Sequence, residues 1–186
     1  YADQLRQFAQ SLEQHYGVSI TSEALWKSIR IFNQTRILIQ DLASQGKSNL
    51  PPPAGDEVYT IMQMATRCDR PKFNQKLSDY LEQLPQNIGG RESSRQVRVL
   101  LAGCIIDQVE QIRLIEEAGA QVVANELCTG IRHFDNLVQE NGDPFIALST
   151  RYLNRAPCAR MTDLERRLNY LVQLAQDYKV DGVIYH

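Results

Sequence analysis

The stretch from Val97 to Glu126, VRVLLAGCIIDQVEQIRLIEEAGAQVVANE, constrains the fold of this chain more than any other. Val97, Val99 and Leu100-Leu101-Ala102 make a short apolar run with β-branched members, the pattern of a strand buried on both faces. Gly103 interrupts the run. Ile106, Val109, Ile112 and Leu114-Ile115 then recur at helical spacing, and Ala118-Gly119 stops the predicted helix, because glycine accepts the left-handed conformation that helix ends need. A second apolar run follows at Val122–Ala124. A strand that passes through a helix to another strand requires a parallel pair with a right-handed crossover, so the predicted class is α/β. Ligands of such sheets gather at the carboxyl ends of the strands. Here those ends carry Gly103-Cys104 and Glu126-Leu127-Cys128-Thr129-Gly130.

Upstream, the sequence reads as helices alone. Leu5, Phe8, Leu12 and Tyr16 share one face of a first helix, which Gly17 ends. Thr21 is the expected N-cap of a second, with Glu23 in the first turn where negative charge suits the helix dipole. Leu25, Ile29, Phe32, Ile39 and Leu42 form its apolar stripe, and it is expected to run to Gly46. Pro51-Pro52-Pro53 reads as a stiff connection to a third helix over 55–68. Asp69 caps a fourth, with Pro71 in its first turn. Phe73, Leu77, Leu81 and Leu84 face its partner, and Pro85 is expected to close it. The polar stretch Gln86–Gln96 contains Gly89-Gly90 and is the expected boundary. It divides a helical linking region, 1–88, from an α/β domain, 89–186. That domain continues with a short helix over 132–139, a helix over 144–154 and an arginine-bearing loop over 155–160. Thr162 and Glu165 then form a capping box for a helix carrying Leu168, Leu171, Val172 and Ala175. A third strand, Val183-Ile184-Tyr185, leads to His186.

The formal net charge of −2 provides no electrostatic footprint for nucleic acid or for an acidic membrane surface. No apolar run approaches the roughly 20 residues that span a bilayer, and no signal peptide opens the chain. The expectation is a cytoplasmic protein with neither nucleic acid nor membrane as partner. The chain begins at Tyr1 without a methionine and stops behind an apolar run, as expected of an internal piece of a longer protein whose sheet domain is truncated at its C-terminal end. The cysteines at 68, 104, 128 and 158 lie far apart, with no C-x-x-C spacing, so they read first as reduced, small apolar residues.

Three strand ends nevertheless bring Cys104, then Glu126, Cys128 and Thr129, then His186 to one edge of the sheet. Cysteine and histidine together can ligate a metal, but a parallel sheet gathers these loops whatever they carry. The single Gly103 before Cys104 does not make the G-x-G-x-x-G dinucleotide fingerprint. Arg151, Arg155 and Arg160 fall within ten residues and can grip phosphate or carboxylate by paired hydrogen bonds, the phosphates of coenzyme A included; a solvated surface is the plainer reading. His133 reads as a helix cap or a proton carrier.

Taken in order, the motifs Arg98–Cys104 (RVLLAGC), Leu114–Ala120 (LIEEAGA), Glu126–Gly130 (ELCTG), Arg151–Cys158 (RYLNRAPC) and Val180–Ile184 (VDGVI) resemble the 2-hydroxyacyl-CoA dehydratase / benzoyl-CoA reductase family, and within it the D-component subunits of the 2-hydroxyglutaryl-CoA dehydratase type. The segment Ile20–Ile29 is similar to the family's linking region. The resemblance covers the whole chain; Ile105 departs from it, standing where the family has proline. It implies flavodoxin-like domains joined by helices, and pairing with a homologous second subunit. It implies a 4Fe–4S iron–sulfur cluster, an ATP-hydrolysing iron–sulfur activator protein that injects one electron, and a 2-hydroxyacyl-CoA that loses its hydroxyl group as a ketyl radical. Reductase members reduce an aromatic ring instead, another branch holds a double-cubane cluster, and a non-catalytic scaffold subunit is the remaining alternative. By the family's register the cluster ligands fall outside Tyr1–His186, so no metal ligand is expected within this chain. Cys104 and Cys128 are then expected in the pocket wall at the cluster edge, with Thr129, Arg155, Arg160 and His186 on the substrate side.

Overall fold

Side-chain caps start several of the helices and a glycine ends another in the computed structural model, which describes residues 1–48, 51–87, 96–158, 160–161 and 163–186. Helix α1 (Ala2–Tyr16) stops at Gly17, whose φ of 64° lets its N–H reach the Glu13 carbonyl. Helix α2 (Ser22–Ser44) starts where the Thr21 hydroxyl accepts the Ala24 N–H. A short 3-10 turn, Gln45–Lys47, follows. Helix α3 (Gly55–Arg67) and helix α4 (Arg70–Asn87) complete the helical half. Pro85 does not close α4, whose backbone continues to Asn87. In the last turn a proline forfeits one N–H, and the residues after it can still hold helical dihedrals.

Leu38, Ile39, Leu42, Met62, Phe73 and Leu77 from α2, α3 and α4 form one buried cluster. Phe32, expected on the α2 stripe, is 41 % exposed and lies outside that cluster.

Strands β1 (Val97–Ala102), β2 (Ala120–Glu126) and β3 (Gly182–Tyr185) form a parallel sheet in the order β2-β1-β3. Ala102 pairs with Glu126 on one side and with Tyr185 on the other, so the three carboxyl ends lie level. Val99, Leu101 and Val122 pack with Tyr59 and Ile112 on one face. Leu100, Val123 and Ala124 pack with Leu174 and Tyr178 on the opposite face.

Helix α5 (Glu110–Glu117) begins later than the apolar spacing predicts. Ile106 precedes it in a loop, yet is only 1 % exposed. A tertiary contact buries it: the Tyr59 hydroxyl accepts the Ile106 N–H and reaches its carbonyl, each at 3.2 Å, while Gln63 donates to the same carbonyl. Helix α6 (Ile131–Phe134) is also shorter than expected. Asn136 takes a φ of 60°, and Arg151 donates to the carbonyls of His133, Asp135 and Asn136 that a longer helix would have used.

Helix α7 (Pro144–Asn154) starts at Asp143, whose carboxylate accepts the Phe145 and Ile146 N–H groups. Helix α8 (Leu164–Asp177) is capped by Asp163, which accepts the Arg166 N–H. Thr162, the expected capping residue, lies outside the described residues, as does 88–95 of the expected boundary. On α8 the expected apolar stripe is turned outward at Leu168 and Val172, 50 % and 54 % exposed, while Arg167 and Leu174 face inward. Among the described residues no helix is long and apolar enough to cross a membrane.

Glu116 ties the two halves together. Its carboxylate accepts the Gly55 N–H at 2.9 Å and the Val122 N–H at 3.2 Å, and burial pushes its pKa up against those bonds.

Candidate functional site

The level strand ends bring four of the six expected site residues to one edge. Gly103 follows β1 with a φ of 132°, and a Cβ there would stand 2.0 Å from the His186 carbonyl oxygen. Only glycine permits that approach. Through it the Cys104 N–H donates to the His186 carbonyl at 3.2 Å, and the His186 N–H donates to the Ala102 carbonyl at 2.9 Å. Cys104 and Cys128 are both exposed. Thr129 pairs its hydroxyl with that of Tyr59 at 2.8 Å, which fixes the edge to α3.

Beneath the edge lies an ion triad whose pairing joins residues from three separate segments of the chain. Glu126 is fully buried at the end of β2. Its Oε1 is 3.1 Å from Arg132 Nη1 and its Oε2 is 3.0 Å from Arg167 Nη2. Each arginine is 4 % exposed, and each also donates to the Pro157 carbonyl at 3.4 Å. Burial raises the Glu126 pKa, and the two guanidinium groups offset only part of that rise. Arg132 Nη2 further donates to Cys128 Sγ at 3.4 Å. The triad thus holds the Pro157-Cys158 loop and the Cys128 side chain against the sheet.

Arg155 and Arg160, expected to act together, are held in different surroundings. Arg160 sits on the pinned loop, its backbone N–H donating to Cys158 Sγ at 3.3 Å. Arg155 lies near His133 and Arg151. Arg151 is engaged with backbone carbonyls rather than open to a ligand.

Arg167 did leave a sequence signal, because Arg167, Leu171 and Leu174 share one face of α8 at helical spacing. Tyr59 left none. Its role depends on the position of Ile106 in the folded chain.

His133 is no proton carrier near neutral pH. Burial and the positive charges of Arg155, Arg151, Arg36 and Arg70 lower its pKa from 6.5 to about 4. In the unfolded chain the ring takes up a proton as pH falls through about 6.5, while the folded chain refuses it until about 4, so stability falls across that window. Discounted for partial exposure to solvent, the loss attributable to His133 is about 2 kcal/mol. Urea denaturation near pH 7 and near pH 4 checks this: the wild type is expected to lose more stability than His133→Asn by that amount, and equal losses would refute it.

A family model described as "2-hydroxyglutaryl-CoA dehydratase, D-component" matches residues 1–186. The chain belongs to this family. Three relatives are named as subunits of a dehydratase or of a reductase. "Putative dehydratase subunit YjiM" of Escherichia coli (strain K12) is 30% identical over 187 residues, 98% of this chain and 48% of the relative. "(R)-phenyllactyl-CoA dehydratase beta subunit" of Clostridium sporogenes is 27% identical, over 95% of this chain and 46% of its own length. A benzoyl-CoA reductase subunit of Thauera aromatica is 28% identical, over 100% of this chain and 49% of its own length. The D-component chain spans about half the length of the curated relatives it matches.

The donor set of the described residues does not fit an iron–sulfur cluster. Among the described residues no group of three or more His, Cys, Asp or Glu side chains comes together to hold a metal ion. Cys104 and Cys128 stand at the edge without further ligands.

Proposed function

We propose that this chain forms one wall of the acyl-CoA cleft in a subunit that removes water from a 2-hydroxyacyl-CoA. The observation that carries the reading is the level carboxyl edge, where Cys104, Cys128, Thr129 and His186 converge over a buried Arg132–Glu126–Arg167 triad. Thr129, its hydroxyl oriented by Tyr59, offers a fixed polar group to the thioester end. Cys104, Cys128 and His186 line the wall, and Arg155 and Arg160 supply charge for the phosphates of coenzyme A. The triad's part is positioning: it holds the loop that carries Arg160.

Elimination takes the hydroxyl from C2 and a hydrogen from C3, giving an enoyl-CoA and water. The electron that starts it comes, on this reading, from an ATP-hydrolysing iron–sulfur activator and leaves a ketyl radical on the thioester. On this reading the ligands of the cluster that serves the substrate belong to other parts of the assembly. The order β2-β1-β3 is that in which a flavodoxin-like sheet begins, which supports a flavodoxin-like α/β domain over 89–186 that continues past β3, after a helical linking region over 1–88. The relatives are themselves named as subunits, of a dehydratase and of a reductase, which supports a second subunit as partner, taken on this reading to be homologous.

The 28% identity with a benzoyl-CoA reductase subunit supports a second reading, in which the same cleft takes an aromatic acyl-CoA and reduces its ring. The test is an anaerobic assay of the whole subunit with its partner and activator, offered a 2-hydroxyacyl-CoA and benzoyl-CoA separately. Enoyl-CoA formation coupled to ATP hydrolysis is expected. Ring reduction alone would favour the second reading, and iron-free protein inert to both would leave a scaffold subunit. Within that assay Arg160→Ala is expected to raise KM for the thioester about tenfold with little change in kcat, with Arg155→Ala shifting KM the same way. Unchanged KM in both variants would refute the phosphate role.

A further inference from the structure

Apart from the ion triad at the sheet edge, the chain holds a second concentration of arginines, on α2, α4 and α7, with no carboxylate paired to it among the described residues. A cavity of about 180 Å³ opens between α2 and α7. Ile29, Phe32, Val138 and Leu148 make its apolar wall, and Arg36 and Tyr152 contribute its polar end. Arg36 is only 6 % exposed, yet it donates to a neutral group, Asn33 Oδ1, at 2.9 Å. Asn33 in turn donates its Nδ2 to the Glu140 carboxylate at 2.9 Å. Two more guanidinium groups stack on the aromatic lips of the cavity: Arg70 lies 4.6 Å from the Phe32 ring centre and Arg151 lies 4.6 Å from that of Tyr152. Arg155 and His133 complete the group. Among the described residues, no carboxylate comes within 4.0 Å of Arg36, Arg70, Arg151 or Arg155.

Burying a cation without a counter-charge is costly, and gathering several around it adds repulsion. In the Glu126 triad, by contrast, two buried arginines share a carboxylate. Around Arg36 the carboxylate is missing, and an apolar cavity stands in its place.

We propose that the cavity between α2 and α7 binds a small carboxylic acid, with the carboxylate on Arg36 and an aromatic or branched aliphatic body among Ile29, Phe32, Val138 and Leu148. A guanidinium accommodates a carboxylate by donating two parallel hydrogen bonds. The size fits one six-membered ring, since an apolar cavity of about 150 Å³ holds benzene. The apolar wall selects against inorganic phosphate, which would have to shed water there with no polar partners in return. Burial and the neighbouring arginines lower the Arg151 pKa to about 10, a stress that a bound anion relieves. None of the residues that line the cavity belongs to the strand-end edge, so its test does not depend on acyl-CoA turnover.

Isothermal titration of the purified protein with benzoate, benzamide and inorganic phosphate reads the proposal directly. Benzoate is expected to bind saturably at millimolar concentration and to raise the melting temperature, with benzamide and phosphate at least about tenfold weaker. Arg36→Met is expected to abolish benzoate binding, and Leu148→Trp, which fills the cavity from a half-buried position, is expected to do so with Arg36 intact. Phosphate binding as tightly as benzoate would overturn the proposal in favour of a plain cationic patch. So would benzoate binding that survives Leu148→Trp, or no benzoate binding by the wild type.

Discussion

Replacing Glu126 by glutamine is expected to lower the unfolding free energy by about 3–5 kcal/mol, the cost of removing one partner from a buried ion network. Glutamine keeps the shape of the side chain and removes its charge. Arg132 and Arg167, each 4 % exposed, would then face each other across a neutral amide with no counter-charge between them. The Pro157 carbonyl, which both arginines also contact, cannot take over that role. The double variant Glu126→Gln, Arg167→Met should recover part of the loss, because it leaves one buried cation rather than two. Urea denaturation checks both. A loss below about 1 kcal/mol for the single variant would mean that the triad is far better hydrated than its burial states.

Gly46→Ala is expected to cost about 2–4 kcal/mol by overpacking the seam between the helices and the sheet. A Cβ at Gly46 would stand 2.0 Å from the Val123 carbonyl oxygen and 3.1 Å from the Tyr178 ring. The first neighbour is backbone of β2 and cannot step aside without shifting the strand. The same seam carries the bond from Arg98 to the Gly46 carbonyl and the Lys47 ammonium 5.1 Å from the Tyr178 ring centre. Gly182→Ala is the control, since nothing lies within 4 Å of its Cβ position and alanine there restricts the unfolded chain more than glycine does. Its stability should stay within about 1 kcal/mol of wild type. A melting profile for Gly46→Ala that matched the control would refute the tight seam.

Much of the candidate edge is legible in the sequence because parallel pairing depends on local patterns. The apolar runs at Val97–Ala102, Val122–Ala124 and Val183–Tyr185 each become a strand, and the residues after them have to meet at one side. Caps are legible for the same reason: Thr21 and Gly17 act on groups three and four residues away. Ile106 is not, because its burial comes from Tyr59, 47 residues distant, and a buried loop residue can mimic a helical phase. Leu168 and Val172 turn outward against their spacing because Arg167, bound to Glu126 across 41 residues, decides which face of α8 turns inward.

Sequence alone determined the parallel α/β class, the helical region before it, the family, and which residues crowd the strand ends. Each rests on periodicity, capping or collinear motifs, which act over a few residues or survive as a pattern. Only the tertiary structure decided where the charges go. It put Arg132 and Arg167 on one buried carboxylate, took Arg155 into a cluster with His133 and Arg151, and left Arg36 beside an apolar cavity with no carboxylate paired to it among the described residues. Electrostatic partnership is set by distances between segments far apart in the chain, and no local pattern of residues encodes it.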